Sequence, residues 1–196
     1  MKYNVKILLS VILLPIIIIA AIGIYNHLHS KLEKQLYPLP EEYLPSIEKY
    51  SAEYDVPIEL VCAVINTESS FDPMARSHAD AIGIMQITIE TFDWLQYRMG
   101  IEGTYSSDKL YDYDTNVKFG TYFLSLLYME FRDWDTALAA YNAGRGNVIK
   151  WLADANVTQD GKLVNIPFEE TRNYIQKVNK AKAKYTEMYF KNNSAE

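Results

Sequence analysis

The sequence predicts a mainly α protein, a single compact helical domain preceded by one transmembrane helix. Three observations carry this. Residues 7–25 contain no charge, whereas the rest of the chain mixes apolar and charged residues in ordinary proportion. From Glu41 onward, apolar residues recur at helical spacing in segments separated by Gly and Pro. No alternating run of strand length appears. The 196 residues suit one domain plus an extension, and no internal repeat or low-complexity tract marks a second domain.

The uncharged run comes first. At about 1.5 Å per residue, a helix of this length just crosses a hydrocarbon core of about 30 Å. Lys2 and Lys6 precede it and favour an amino terminus inside the cell. Pro15 kinks such a helix without forbidding it. The expectation is a cytoplasmic stub at 1–6, a signal anchor at 7–25 and a single pass through the cell membrane, with the domain on the outer side. A cleaved signal peptide is the rival. Ala20, Ala21 and Gly23 offer small residues, but Ile22, Ile24 and Tyr25 fit a cleavage motif poorly. The polar stretch 26–40, ending in Pro38 and Pro40, reads as a stalk. Residues 41–190 form the domain and 191–196 a tail.

Within the domain, helices are expected at 41–54 and from Pro57, a residue favoured at the first helical position. Ile58, Val61, Cys62 and Ile65 then form one buried stripe. A loop with Pro73 and Gly83 follows, with a small irregular hairpin near 76–88. A helix at 88–98 ends at Gly100 and Gly103. Further helices are expected at 114–132, 136–143, 147–153 and 167–189, with 158–167 irregular.

Composition narrows the function. The net charge of −6 gives no footprint for nucleic acid, which requires clustered Lys and Arg. A glycan fits better. The 16 tyrosines offer flat apolar faces with a hydroxyl, suited to sugar rings, although many are expected simply to pack helices. Cys62, the sole cysteine, sits among Val61, Ala63 and Val64 and reads as a buried structural thiol. His27, His29 and His78 show no metal-ligand spacing. Gly144-Arg145-Gly146 lacks the Lys and the length of a phosphate loop.

The chemistry converges on Glu68, which follows Ile65 by three residues and so emerges at a helix end on its apolar face. Burial disfavours the charged carboxylate, and a helix carboxyl terminus opposes it as well. Both effects keep a proton available near neutral pH, as a general acid requires. Capping a turn or pairing with Arg76 is the structural alternative.

Four motifs extend this reading. Glu68-Ser69-Ser70-Phe71-Asp72-Pro73 resembles the catalytic motif of the soluble lytic transglycosylase (SLT) family, within the lysozyme-like, goose-type lysozyme superfamily. Gly83-Ile84-Met85-Gln86, Ala140-Tyr141-Asn142-Ala143-Gly144 and the stretch from Ile166 to Tyr174 match the second, third and fourth family motifs, in order. The resemblance covers about residues 43–178. It implies an α+β lysozyme-like fold with a glycan-binding groove. Glu68 then matches the sole catalytic carboxylate, and Ser77 a serine beside the cleaved bond. Met85 and Gln86 match groove residues that hold the glycan, and Tyr141 and Asn142 line the same cleft. Glu170 and Tyr174 match groups on the far helix that face the glutamate. His78 and Asp80 stand where the family usually has Pro and Gly, and Ile84 where Leu is commoner.

What the resemblance implies is cleavage of peptidoglycan strands at the MurNAc-GlcNAc β-1,4 bond, leaving 1,6-anhydro-MurNAc ends. No metal or cofactor is implied. The implied partners are the glycan strands, the membrane through the amino-terminal helix, and a cell-wall or secretion machine. Two alternatives stay open. A muramidase would hydrolyse the same bond with a second acid, for which Asp72, Asp80 and Glu170 are candidates. A catalytically inert wall-binding scaffold would need no acid at all.

Overall fold

The computed structural model describes residues 5–191, with side chains from Leu13 onward. Residues 1–4, which include Lys2 of the expected stub, and residues 192–196 of the expected tail lie outside the described residues. The chain divides into two compact units, 1–38 and 39–196.

The first unit is one helix, α1 (Val5–Leu36), with Pro15 inside it. Its portion Leu13–Leu36 is long and apolar enough to cross a membrane, and none of it is buried. The helix continues past Tyr25, so most of the expected stalk is helical. Residues 26–36 contain no Gly or Pro and are rich in Leu, Lys, Glu and Gln, which favour helix. Pro38 explains the stop, because the residue before a proline is pushed out of helical geometry.

The second unit is helical, with two short hairpins. Its elements are α2 (Leu44–Glu53), α3 (Ile58–Ser69), β1 (Ala81–Ile82), β2 (Ile87–Thr88), α4 (Ile89–Met99), a 3₁₀ turn (Ser107–Tyr111), α5 (Tyr113–Phe131), α6 (Trp134–Ala143), α7 (Arg145–Leu152), β3 (Thr158–Gln159), β4 (Lys162–Leu163) and α8 (Glu169–Tyr185). A π-helical turn, Thr186–Phe190, finishes it. Both hairpins are antiparallel, pairing Ala81 with Thr88 and Thr158 with Leu163. The expected hairpin near 76–88 is therefore present. The second hairpin falls in the stretch expected to be irregular, and the 3₁₀ turn lies between the helices expected at 88–98 and 114–132. With two residues per strand, neither hairpin is long enough to display an alternating pattern.

Local chemistry sets the helix starts. Thr88, Asp112 and Asp133 cap α4, α5 and α6 by accepting the N–H groups of Thr91, Thr115 and Thr136. Pro57 sits at the cap of α3, one position earlier than expected.

Helix α3 is the centre of the core. It packs against α2 and α8, and every residue from Leu60 to Ile65 is buried. The single stripe expected from spacing is thus a helix buried nearly all round, because neighbours cover it on both sides. Cys62 is fully buried, as the sequence suggests. On α8, Thr171, Tyr174, Val178, Ala181 and Tyr185 follow helical spacing and are buried, so this stripe faces inward. Asp114 of α5 anchors α2 by accepting from Ser46 at 2.6 Å and Tyr50 at 2.9 Å.

Candidate active site

The carboxyl end of α3 delivers Glu68. The helix stops at Ser70, whose backbone is left-handed at φ 53, and Phe71 continues the turn at φ 67. Phe71 is buried between Tyr43 and Tyr185, which anchors the turn after Glu68. Ser69 reaches the other way, donating to the Ile84 carbonyl at 2.8 Å. The glutamate's two flanks are therefore fixed to the core and to the following loop.

Glu68 is partly buried, and the Tyr174 hydroxyl donates to its Oε1 at 2.7 Å. Burial pushes its pKa up to about 7 from the ordinary 4.5, while the Tyr174 hydrogen bond pulls the other way and loses. No neighbouring carboxylate contributes to this shift. Arg76, the alternative partner for Glu68, instead pairs with Asp80 at 2.7 Å. Tyr141 and Tyr174 both have pKa values raised well above the phenol range, first by burial and then by the charge of Glu68. Two neutral hydroxyls thus stand beside one carboxyl that holds its proton near neutrality.

The loop ahead of α4 has a buried frame. Asn116 on α5 is fully buried and uses its whole amide. Its Oδ1 accepts from the Met85 N–H at 2.8 Å, and its Nδ2 donates to the Ile82 and Leu110 carbonyls at 2.9 and 2.8 Å. Gly83 sits against this amide with φ +80, and a Cβ there would lie 2.2 Å from the Leu110 oxygen. Only glycine fits both the turn and the space. Gln86, left-handed at φ 52, donates to the Ala75 and Gly83 carbonyls and closes the loop on itself.

Each expected site residue has a definite place. Tyr141 donates to the Met85 carbonyl at 2.7 Å. Gln86 and Tyr141 line a hollow of about 50 Å³, and Tyr141 and Asn142 line an adjoining one of about 490 Å³. Asn142 also accepts from Thr171 at 2.8 Å, joining the end of α6 to the start of α8. Ser77 accepts from the N–H groups of Ala79 and Ala81, holding its own tight turn. Glu170 is exposed one turn before Tyr174, and the contact with Glu68 is made by Tyr174. Ser77 and Glu170 line neither hollow.

Met85, matched to a groove residue by the resemblance, lines neither hollow with its side chain. That side chain is fully buried, and a Cβ on Gly120 would meet its sulfur at 2.4 Å. What Met85 presents toward Tyr141 is its backbone carbonyl.

Two contributing residues lie outside the four motifs, Asn116 and Phe123, which lines both hollows; Thr171 lies within the fourth, with its partner Asn142 in the third. Asn116 did leave a trace. It shares a stripe with Gly120, Leu124 and Leu127, so a polar side chain occupies an apolar face of α5. Such a group must find internal partners.

Comparison with known proteins follows the same lines. The chain is 31% identical over 165 residues to the membrane-bound lytic murein transglycosylase C of Glaesserella parasuis, covering 73% of this chain and 45% of the relative. The protein of the same name from Shigella sonnei is 31% identical over 183 residues, covering 82% and 48%. This chain therefore spans about half the length of these curated relatives. Among solved structures, the 70 kDa soluble lytic transglycosylase of Escherichia coli superposes with a TM-score of 0.71 at 30% identity, over 79% of this chain and 25% of that one. The lytic transglycosylase Slt of Pseudomonas aeruginosa, solved as an inactive mutant with glutamate changed to glutamine, gives 0.69 at 29% identity, over 82% and 25%. The fold is the lysozyme-like one of these enzymes. With residues 45–164 matching the family model for the transglycosylase SLT domain, well over half its length, the chain belongs to that family.

Proposed function

We propose that this protein is a membrane-anchored peptidoglycan lytic transglycosylase that cleaves the MurNAc-GlcNAc β-1,4 bond, with Glu68 as its single general acid and base. The observation that carries this is the state of Glu68. Its carboxyl has a pKa of about 7, set by burial and by the Tyr174 hydroxyl, with no second carboxylate among the causes. A general acid works best when its pKa lies near the working pH. Hydrolytic glycosidases generally use a second carboxylate, as nucleophile or as base for water. Of the sequence candidates for that role, Asp80 is engaged by Arg76 and Asp72 accepts the Met74 N–H.

The reaction then runs in two proton transfers. Protonated Glu68 gives its proton to the bridging oxygen as that bond breaks. The substrate's own N-acetyl oxygen meets the positive charge at the anomeric carbon. Glu68, now a carboxylate, takes the proton of the 6-hydroxyl while that oxygen bonds to the anomeric carbon. The 1,6-anhydro end forms, water is not consumed and Glu68 regains its proton. Tyr174 holds the carboxyl in place in both states, because a neutral hydroxyl donates to a carboxyl and to a carboxylate alike.

The amino-terminal helix, together with the membrane-bound designation of the curated relatives, supports anchoring, and Lys2 and Lys6 ahead of the uncharged run favour a domain on the wall side. Strands of the wall are the substrate, and a wall-remodelling or secretion machine is the kind of assembly such an anchor serves.

The test is digestion of purified peptidoglycan by the full chain, with mass spectrometry of the released fragments. Anhydro ends, each one water lighter than a hydrolysed end, are expected. Glu68→Gln should lower release by roughly 10²–10⁴-fold, the usual contribution of a general acid or base, with an unchanged circular dichroism spectrum. Reducing ends would assign a muramidase instead. Wild-type protein that binds strands and releases nothing would assign a scaffold.

A further inference from the structure

Beside the two hollows at Tyr141 lies a third, of about 540 Å³, that the chemistry at Glu68 does not use. It is lined by Trp94 and Arg98 of α4, Met129 and Glu130 of α5, and Arg145 at the start of α7. Trp94 and Arg145 also line the hollow that contains Tyr141 and Asn142, so the two adjoin. Aromatic rings mark the route. Tyr141 packs on Phe123 at 5.2 Å between centroids, and Phe123 on Trp94 at 6.1 Å. Trp94 is 38% exposed, a large apolar side chain left open to solvent.

The charge of this hollow runs against that of the chain. Arg98 lies over the Trp94 ring at 5.6 Å and has no ion pair among the described residues. Arg145 bonds Glu130 at 2.6 Å through Nε, which leaves its outer N–H groups available. With Glu130 counted, the hollow carries one net positive charge in a protein of net charge −6. Glu90 lines the adjoining hollow, so anionic groups are favoured at the arginine end. We infer that the Trp94, Arg98 and Arg145 hollow is a distal subsite for the carboxylate-bearing peptide stem of a muramoyl residue further along the strand. This inference rests on the glycan-cleaving reading above. What leaves the groove toward Trp94 is the continuation of the same polymer, and its peptide stems carry its carboxylates. The volume suits a short peptide rather than a lone ion. Trp94 offers an apolar face to the peptide or to its sugar, and the arginine forks receive the carboxylate.

Glu130 gives the test a sign. It competes with the ligand for Arg145, so its removal should strengthen binding. The full chain in detergent, carrying Glu68→Gln so that strands stay whole, is titrated with soluble peptide-bearing strands and with the same strands stripped by an amidase. On peptide-bearing strands, Arg98→Gln should weaken binding roughly two- to fivefold, the scale of an exposed ion pair, and Glu130→Gln should tighten it by a similar factor. On stripped strands, whose remaining carboxylates are the lactyl groups held at the sugars, both substitutions should have much smaller effects. Equal effects on both strands, no effect on either, or weaker binding after Glu130→Gln would overturn the inference. Cleavage by the chain with Glu68 intact is scored separately. A protein that shows these preferences and cuts nothing breaks the functional reading and keeps the subsite.

Discussion

Two consecutive stretches of one connection are held in opposite ways. Residues 82–86 are fastened from inside: a buried Asn116 amide makes three hydrogen bonds to them and to Leu110, Gly83 fits where no side chain does, and Met85 fills the core beside Gly120. Residues 76–80 are fastened from outside, by an exposed ion pair between Arg76 and Asp80 and by Ser77 accepting two backbone N–H groups. Both belong to the connection between α3 and α4, yet their energetics differ. A buried hydrogen bond removed on one side leaves its partner unpaired and away from water, whereas an exposed ion pair is replaced by water and salt. The inner stretch positions the Met85 carbonyl that Tyr141 binds, and the outer stretch rests on contacts that water can replace.

Breaking the inner frame should have the largest effect on stability. Asn116→Ala strands the Met85 N–H and two carbonyls, at a cost of about 3 kcal/mol or more. Urea denaturation should show the midpoint falling accordingly, and cleavage should fall with it, since the Tyr141 hydroxyl binds the carbonyl of Met85. A loss under about 1 kcal/mol would mean the loop is held by something other than Asn116.

Glu68 is the second test of what burial does, and here the sign reverses. Its folded pKa of about 7 lies above the ordinary 4.5. Between these values the unfolded chain loses its proton while the folded chain keeps it, so stability falls as pH rises through that window and the full penalty is present above about 7. The fully protonated state below about 4.5 carries no penalty. Glu68→Gln removes the titration. It should therefore leave thermal stability nearly unchanged at pH 4 and raise it at pH 8, by about 2 kcal/mol once partial exposure is discounted. An equal shift at both pH values would mean that the effect is packing and that Glu68 is an ordinary surface acid.

Tyr174 gives a smaller effect on the same group. Its hydroxyl favours the carboxylate and holds the pKa of Glu68 below what burial alone would set. Tyr174→Phe should move the pKa upward. The alkaline limb of kcat/KM, where the acid is lost, should then shift to higher pH by up to about one unit, even as the rate at its optimum falls for want of orientation. A profile that keeps its limb and only drops in height would assign Tyr174 to substrate contact.

The sequence makes the same division between inner and outer frames. The helices were legible from period and punctuation, and Glu68 from its place at the end of an apolar helix. The match of four motifs then drew attention to Tyr174, 106 residues away, whose hydroxyl meets the glutamate. Asn116 was not legible in this way. Its partners lie 6 to 34 residues away, and no local pattern announces three hydrogen bonds to a loop. Met85 shows a related limit. Sequence places a residue in a loop but does not say which of its atoms faces the cleft, and here the side chain turns inward while the carbonyl turns toward Tyr141. Glu170 shows the converse. It shares a helix face with Tyr174 but sits one turn nearer the exposed end of α8, where a carboxylate stays in water.

The outer stretch supplies the smallest expected effect and the closest check on the comparison. Asp80 occupies a left-handed backbone at φ 57, where the family resemblance puts glycine. Asp is among the few residues with a side chain that tolerate this region, and Arg76 binds it there through Nε and Nη2. Asp80→Gly exchanges an exposed ion pair for a residue that takes the left-handed conformation without cost. The two changes offset, and stability should move by less than about 0.5 kcal/mol. Asp80→Ala loses the pair and keeps the strain, and should cost about 1 kcal/mol or more. In 0.5 M salt the pair is largely screened, so wild type keeps the strain without its compensation: the Gly variant should become the more stable of the two, and the gap between wild type and the Ala variant should narrow. Denaturant midpoints for the three proteins at low and high salt read this directly. If Gly and Ala cost the same, the ion pair rather than the backbone holds the outer turn, and exposed contacts matter to this site as much as buried ones.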